Sequence, residues 1–336
     1  MKYDIELILT NKCPYHCKHC YAIINNETMS DKVLDEAIKY IREKATQNPE
    51  NDYLIRLIGG EISLLGANYM SSIIDRLNDI PNIRFDCRSN LLFELTDEWI
   101  NFFKKNGGNI GTSYDYGNVR YSSPEQEALW HKNVDILYEK GITVDCIICI
   151  TKYVIENIKP EEIFDMLKRH HIKYFELERI LKPLQTRQEY DAGNIAPLNR
   201  DTDSYMFKLF RLYEKESRDV LDCETFECLL GTLKNDFYYE HGRCCEKDST
   251  TITPNGNVSN CFYTVKTPYY NLITKQYNEE NYKHNISLEE TYKPACKNCQ
   301  FFNYCNGDCP MFQWDETGCP GLKLIYTYLL DKNEEE

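Results

Sequence analysis

Residues 9–22 read LTNKCPYHCKHCYA and set Cys13, Cys17 and Cys20 in a CxxxCxxC spacing directly behind an apolar run, IELILT at residues 5–10. A loop leaving the C-terminal end of a first strand is where parallel α/β architectures carry their chemistry. Three thiolates leave a tetrahedral zinc ion one ligand short. They suit three irons of a four-iron, four-sulfur cluster, with the fourth iron open to a substrate or cofactor. The competing readings are a zinc site completed by His16 or His19, and a loop of plain reduced thiols.

Working outward from this loop, apolar, partly β-branched runs alternate with segments of helical period up to about residue 180. The expected strands are residues 5–10, 53–58, 83–88, 109–114, 142–150 and 173–179. Between them lie helical patterns such as SDKVLDEAIKYIREKA, in which Ser30 caps and Val33, Leu34, Ile38 and Ile41 share one face. Six strands separated by five helical stretches predict a parallel α/β sheet or partial barrel. The pattern breaks in the polar, turn-rich PLQTRQEYDAGNIAPLNRDTD, and a helical stretch follows over about 203–217. Beyond about 240, cysteine, asparagine, glycine and tyrosine dominate. So few aliphatic residues call for another source of stability, and metal ligation supplies one.

The 336 residues and 42% hydrophobic content allow one barrel-sized unit and a smaller one. The chain shows neither a long apolar span nor a signal-peptide pattern, so the expected location is cytoplasmic, with no membrane partner. In a reducing compartment, 16 cysteines point to metal rather than disulfides. A net charge of −14 repels polyphosphate and argues against a nucleic-acid partner.

The CxxxCxxC loop behind a first strand resembles the signature of the radical S-adenosylmethionine (SAM) superfamily. The resemblance implies that the open iron chelates SAM, whose reductive cleavage gives a 5'-deoxyadenosyl radical that abstracts hydrogen. His19 stands where the family usually has Tyr or Phe before the third cysteine, and its ring is expected near the adenine. RLIGGEIS resembles the family's GGE segment, which implies that Gly59, Gly60 and Glu61 bind the SAM amino group. The glycines would permit close approach of backbone to ligand, and Glu61 would accept from an ammonium. CRSN and TSYDYG sit where the family has polar strand ends, and nominate Ser89, Asn90, Ser113 and Asp115 as SAM contacts; each also fits a helix cap. Arg179 could pair with the SAM carboxylate or with Glu176 or Glu178.

The C-terminal third resembles the SPASM domain. Its elements are Cys244 and Cys245, then Gly256 and Cys261 in a GxxxxC spacing, then Cys296, Cys299, Cys305 and Cys309 in CxxCxxxxxCxxxC, and finally Cys319. The resemblance implies two auxiliary clusters. One takes Cys296, Cys299, Cys305 and Cys319; the nearer one takes Cys261, Cys309 and Cys244 or Cys245, with Cys228 or an open site as alternatives for the rest. Cys87, Cys146 and Cys149 read as strand-interior residues, the last two on opposite faces.

The expected fold is therefore an α/β chain: a partial (β/α)6 radical SAM barrel followed by a small cysteine-rich SPASM domain. The expected divisions are 1–200 for the barrel, 201–240 for a helical linker, 241–325 for the SPASM domain and 326–336 for a tail. The implied cofactors are three four-iron clusters and SAM. The implied activity is hydrogen abstraction from a ribosomally made peptide with crosslink formation. The alternatives are a sugar or antibiotic epimerase or dehydrogenase, or a sulfatase-maturase-like protein oxidase. Against the last, Phe262 stands directly after Cys261, where sulfatase maturases carry an Asp that serves as a base. Implied partners are the peptide, a reductant such as flavodoxin or ferredoxin, and, because only twelve residues precede Cys13, a separate leader-recognition protein.

Overall fold

A computed structural model of the chain describes residues 2–233, 249–288, 293–305 and 307–335. Six parallel strands alternate with helices: β1 (Lys2–Thr10), β2 (Asp52–Gly59), β3 (Ile83–Cys87), β4 (Asn109–Ser113), β5 (Thr143–Ile150) and β6 (Tyr174–Arg179). The intervening helices are α1 (Asp31–Gln47), α2 (Ala67–Asp75), α3 (Asp97–Lys105), α4 (Pro124–Glu139), α5 (Lys152–Asn157) and α6 (Pro160–Arg169). Pairing runs β1-β2-β3 in one ladder and β4-β5-β6 in another, and a parallel bridge between Arg88 and Gly111 joins them. The result is the expected partial barrel.

Alternation along the strands sorts two environments. On β1 and β2, Ile5, Leu7, Leu9, Tyr53, Ile55 and Leu57 point outward and pack with Val33, Leu34, Ile38 and Ile41 of α1. This is the main core, and Ser30 caps α1 by accepting from the Val33 N–H at 3.4 Å. The intervening residues Asp4, Glu6 and Arg56 face the other way and line the barrel interior with Arg88, Glu176 and Glu178. The interior is thus polar and charged, which is why it holds a cavity and not a packed centre.

The rest of the chain is built onto this sheet. Strand β7 (Asp222–Cys223) extends the ladder beyond β6, and β8 (Ser249–Ile252) pairs parallel to β1, Glu6 facing Thr251. Strands β9 (Asn257–Ser259) and β10 (Tyr270–Asn271) continue antiparallel from β8. The segment expected as a linker contributes the helices Asn199–Leu212 and Glu224–Leu233, whose Leu209, Phe210, Phe226 and Leu229 are buried in the core. The segment expected as a tail lies in a helix instead. Lys323–Glu335 is helical and buries Ile325, Tyr326 and Leu329, because the apolar LKLIYTYLL outweighs the charged DKNEEE that follows. Among the described residues, no helix is long and apolar enough to cross a membrane.

Candidate functional site

The strand ends, the three-cysteine loop and the barrel interior enclose one cavity of about 580 Å³, lined by Cys13, Cys17 and Cys20 on one side and Gly59, Gly60 and Glu61 on another. Ser89, Asn90, Ser113 and His19 also face it. The structure therefore gathers residues from four strand ends that the sequence nominated separately.

The glycines are required by the chain's own backbone. A Cβ on Gly60 would stand 2.3 Å from the Lys12 carbonyl oxygen, and one on Gly59 2.4 Å from that of Thr10. The Gly60 and Glu61 N–H groups donate to those same two carbonyls, Thr10 and Lys12, at 2.7 and 2.8 Å. The GGE turn is thus welded to the start of the cysteine loop, an approach no side chain would allow. Glu61 is fully buried and accepts from the Ser89 hydroxyl at 2.7 Å, the Asn90 N–H at 2.9 Å and the Ser63 N–H at 2.9 Å. It caps the short helix Ile62–Leu65 and holds the β3 end against the GGE turn.

Asp115 does not line the cavity. Its carboxylate is buried and accepts from Arg120 Nε at 2.6 Å and from the Cys149 N–H at 3.4 Å. Arg120 faces the cavity in its place. Although burial opposes it, the Arg120 charge holds the Asp115 carboxyl below its ordinary range. His19 joins this network, its Nε2 3.5 Å from Asp115, while its buried Nδ1 has no hydrogen-bond partner among the described residues. The unusual residue before the third cysteine is therefore the end of an Arg–Asp–His chain, and His16 is exposed.

Two further features escaped the sequence reading. Arg187, in the turn-rich segment after β6, donates to the carbonyls of Cys20 and Ala22 at 2.9 and 3.0 Å and so pins the cysteine loop. Nothing in that polar stretch signalled the role. Arg179 bonds Asp308 and the Pro320 carbonyl and not Glu176 or Glu178.

In the cysteine-rich region, Cys296, Cys299, Cys305 and Cys319 line a second, small cavity of about 30 Å³ with Trp314 and Tyr326 in its wall. Cys261 and Cys309 both lie near Tyr263, whose hydroxyl they push up in pKa after burial has done so. Cys244 and Cys245 lie outside the described residues. The electrostatic neighbours of Cys228 are Glu224, Glu176, Glu227 and Lys2. Cys87 and Cys146 are buried in the core and Cys149 faces the cavity, as an offset of three along a strand requires.

The donor sets fit iron–sulfur clusters. They consist of thiols, and among the described residues the only groups with three metal-binding atoms all within 4.8 Å of one another are His19–Asp115–Cys149 and Asp145–Glu176–Glu224. Neither the loop cysteines nor the second set is among those tight groups. Burial pushes the Cys13 thiol up to about 11, so binding of a cationic cluster must displace the proton.

No family model matches the chain. A curated relative, the cysteine-type anaerobic sulfatase-maturating enzyme of Clostridium novyi (strain NT), is 20% identical over 89% of this chain and 85% of its own length. Native anSMEcpe with bound AdoMet and Cp18Cys peptide superposes with a TM-score of 0.76, at 17% identity over 92% of this chain and 89% of that one. Streptococcus suis SuiB bound to precursor peptide SuiA gives a TM-score of 0.63, at 15% identity over 95% and 76%. Similarity along nearly the whole chain to these relatives, in sequence and in fold, agrees with the resemblance drawn from the cysteine motifs.

Proposed function

We propose that the protein is an enzyme that modifies a ribosomally made peptide by hydrogen abstraction and closes a carbon–carbon or thioether crosslink in a two-electron oxidation. The observation that carries this reading is the cavity itself, which sets the three loop thiols against the GGE turn and the polar strand ends in a space large enough for a cofactor and a side chain. In it, Cys13, Cys17 and Cys20 hold a cluster, and Gly59, Gly60, Glu61, Ser89, Asn90, Ser113 and His19 surround SAM. Asp115 contributes through Arg120, whose guanidinium is a cation of the cavity wall suited to the SAM carboxylate. Bound together, cluster and SAM supply the hydrogen-abstracting radical.

Two auxiliary clusters complete the set. One rests on Cys296, Cys299, Cys305 and Cys319 and the other on Cys261 and Cys309 with Cys244 or Cys245. Cys261 directly precedes Phe262, which lines the main cavity, and the auxiliary clusters would be suited to receive the second electron. A peptide substrate is supported by the peptides bound to the two structural relatives. A reductant of the flavodoxin or ferredoxin type starts the cycle in the cytoplasm.

The second reading is a sulfatase-maturase-like oxidase, which the Clostridium relative favours. Phe262, apolar where that chemistry wants an acid, stands against it. The deciding experiment incubates the anaerobically reconstituted protein with SAM, dithionite and a genetically encoded peptide library. A peptide lighter by two hydrogens, formed in step with 5'-deoxyadenosine and carrying a new intramolecular link in its fragmentation spectrum, supports the crosslink. A peptide aldehyde from cysteine or serine supports the oxidase. Conversion of no peptide ends both.

A further inference from the structure

Six carboxylates line the main cavity: Asp4, Glu6, Glu61, Glu176, Glu178 and Glu224. Five of them are spoken for. Arg56 holds Asp4 at 3.2 Å, Thr251 donates to Glu6 at 2.7 Å, and Arg88 donates to Glu176 at 3.2 Å. Glu61 has its three donors, and Glu224 shares a hydrogen bond with Glu176. Glu178 accepts no hydrogen bond and forms no ion pair among the described residues, and it faces the same space as Cys13, Cys17 and Cys20.

We propose that Glu178 is a catalytic residue, the carboxylate that takes up the proton released as the peptide substrate is oxidised. This rests on the peptide-oxidation reading above. Its position is fixed from behind. Glu178 lies opposite Cys149 in the β5–β6 ladder and directly precedes Arg179, which is itself locked to Asp308. The groups facing it are Glu176 and Arg179 of its own strand, Arg88 after β3, Asp115 after β4, Cys149 of β5, Tyr21 of the cysteine loop, and Tyr263 beyond Cys261. Burial first, then Glu176, pushes the Glu178 carboxyl up to about 7 against the pull of Arg88. A carboxyl poised there exchanges protons near neutrality, as a general base must.

The step balances as follows. One substrate C–H gives its hydrogen atom to the 5'-deoxyadenosyl group. The second hydrogen leaves a neighbouring C–H or S–H as a proton onto Glu178, while its electron passes to an iron–sulfur acceptor. The two substrate atoms so freed form the new bond, and Glu178 returns the proton to solvent.

The test uses full-length, cluster-reconstituted Glu178→Gln and Glu178→Asp with a library peptide that the wild type converts. Glu178→Gln is expected to keep forming 5'-deoxyadenosine while product falls by about 100-fold, Glu178→Asp recovering part of it. The wild-type product rate should rise through about pH 7 and the Gln variant should lack that limb. Equal product per 5'-deoxyadenosine with an unchanged pH profile overturns the proposal. If the wild type converts no peptide, the peptide reading fails separately. Glu178 is then judged by infrared titration of the holoprotein: a protonated-carboxyl band lost near pH 7 and missing in Glu178→Gln sustains its proton-holding role. No such band in the wild type overturns it.

Discussion

Arg179 and Asp308, 129 residues apart, meet in a two-pronged ion pair with N–O distances of 2.5 and 3.1 Å. The Arg179 guanidinium also lies 3.8 Å from the centre of the Phe312 ring. Asp308 sits between Cys305 and Cys309, and its carboxylate also accepts from the Cys309 N–H at 2.7 Å. One buried pair therefore joins the end of the last barrel strand to ligands assigned to both auxiliary clusters.

Removing one partner leaves a charge buried alone, which costs about 3–5 kcal/mol. Asp308→Ala is expected to lower the unfolding free energy read from urea melts by that order and to reduce iron bound by the cysteine-rich region. Replacing both residues by apolar ones, Arg179→Met with Asp308→Leu, should recover part of the stability but not the iron. Equal stability of Asp308→Ala and wild type would remove the pair from this role.

Gly60→Ala is expected to damage the cysteine loop more than the barrel, since the new methyl would meet the Lys12 carbonyl. The variant should keep its far-ultraviolet dichroism while losing the iron held by Cys13, Cys17 and Cys20. Full iron content would show that the loop can shift without cost.

Reconstituted wild type should hold about twelve irons in three clusters, and changing Cys13, Cys17 and Cys20 together to Ala should remove about four of them. SAM cleavage should vanish with them. Zinc without iron absorption in the purified protein would sink the cluster assignment.

Glu61 caps the helix Ile62–Leu65 and is proposed above to bind SAM as well. Glu61→Gln preserves shape but gives up charge-assisted bonds worth about 1.5–3 kcal/mol. Both the melting temperature and SAM affinity should fall, and calorimetry with and without SAM separates the two. A lowered melting temperature with unaltered SAM affinity would confine Glu61 to capping.

The acidic cluster of Asp145, Glu176 and Glu224 gives a pH signature. Burial, reinforced by Glu176, raises Asp145 to about 6 and moves Glu224 upward as well. A carboxyl whose folded-state pKa exceeds its unfolded one binds more protons when folded, so its contribution to stability falls as pH rises from about 4 to 7. Asp145→Asn should flatten that slope and make the protein more stable than wild type at pH 8 by thermal denaturation. A variant less stable than wild type at pH 8 would contradict this.

The six barrel strands were legible because each is an aliphatic or aromatic run set between helical patterns, and the second cysteine set because its spacing is dense and ordered. What stayed hidden depends on partners far along the chain. Asp115 and Arg120 are only five positions apart, yet which of them reaches the cavity is decided by His19 and Cys149 packing behind them. The GGE glycines announce a close approach without naming what approaches, and it proved to be the chain's own Lys12 carbonyl. Arg187 lies in a stretch with no period, so its grip on the Cys20 carbonyl left no pattern to read.

The pairing of β1 with β8 has a consequence for the history of each molecule. Strand β1 leaves the ribosome well before residues 249–252, which cover its second edge, and Tyr3 then bonds Thr250 and Glu6 bonds Thr251. Contacts closing so long a loop are slow to form. Until then the nascent chain carries a bare strand edge beside three reactive thiols, open to wrong pairing and to oxidation. Chains released before residue 249 should therefore aggregate rather than persist as free-standing barrels.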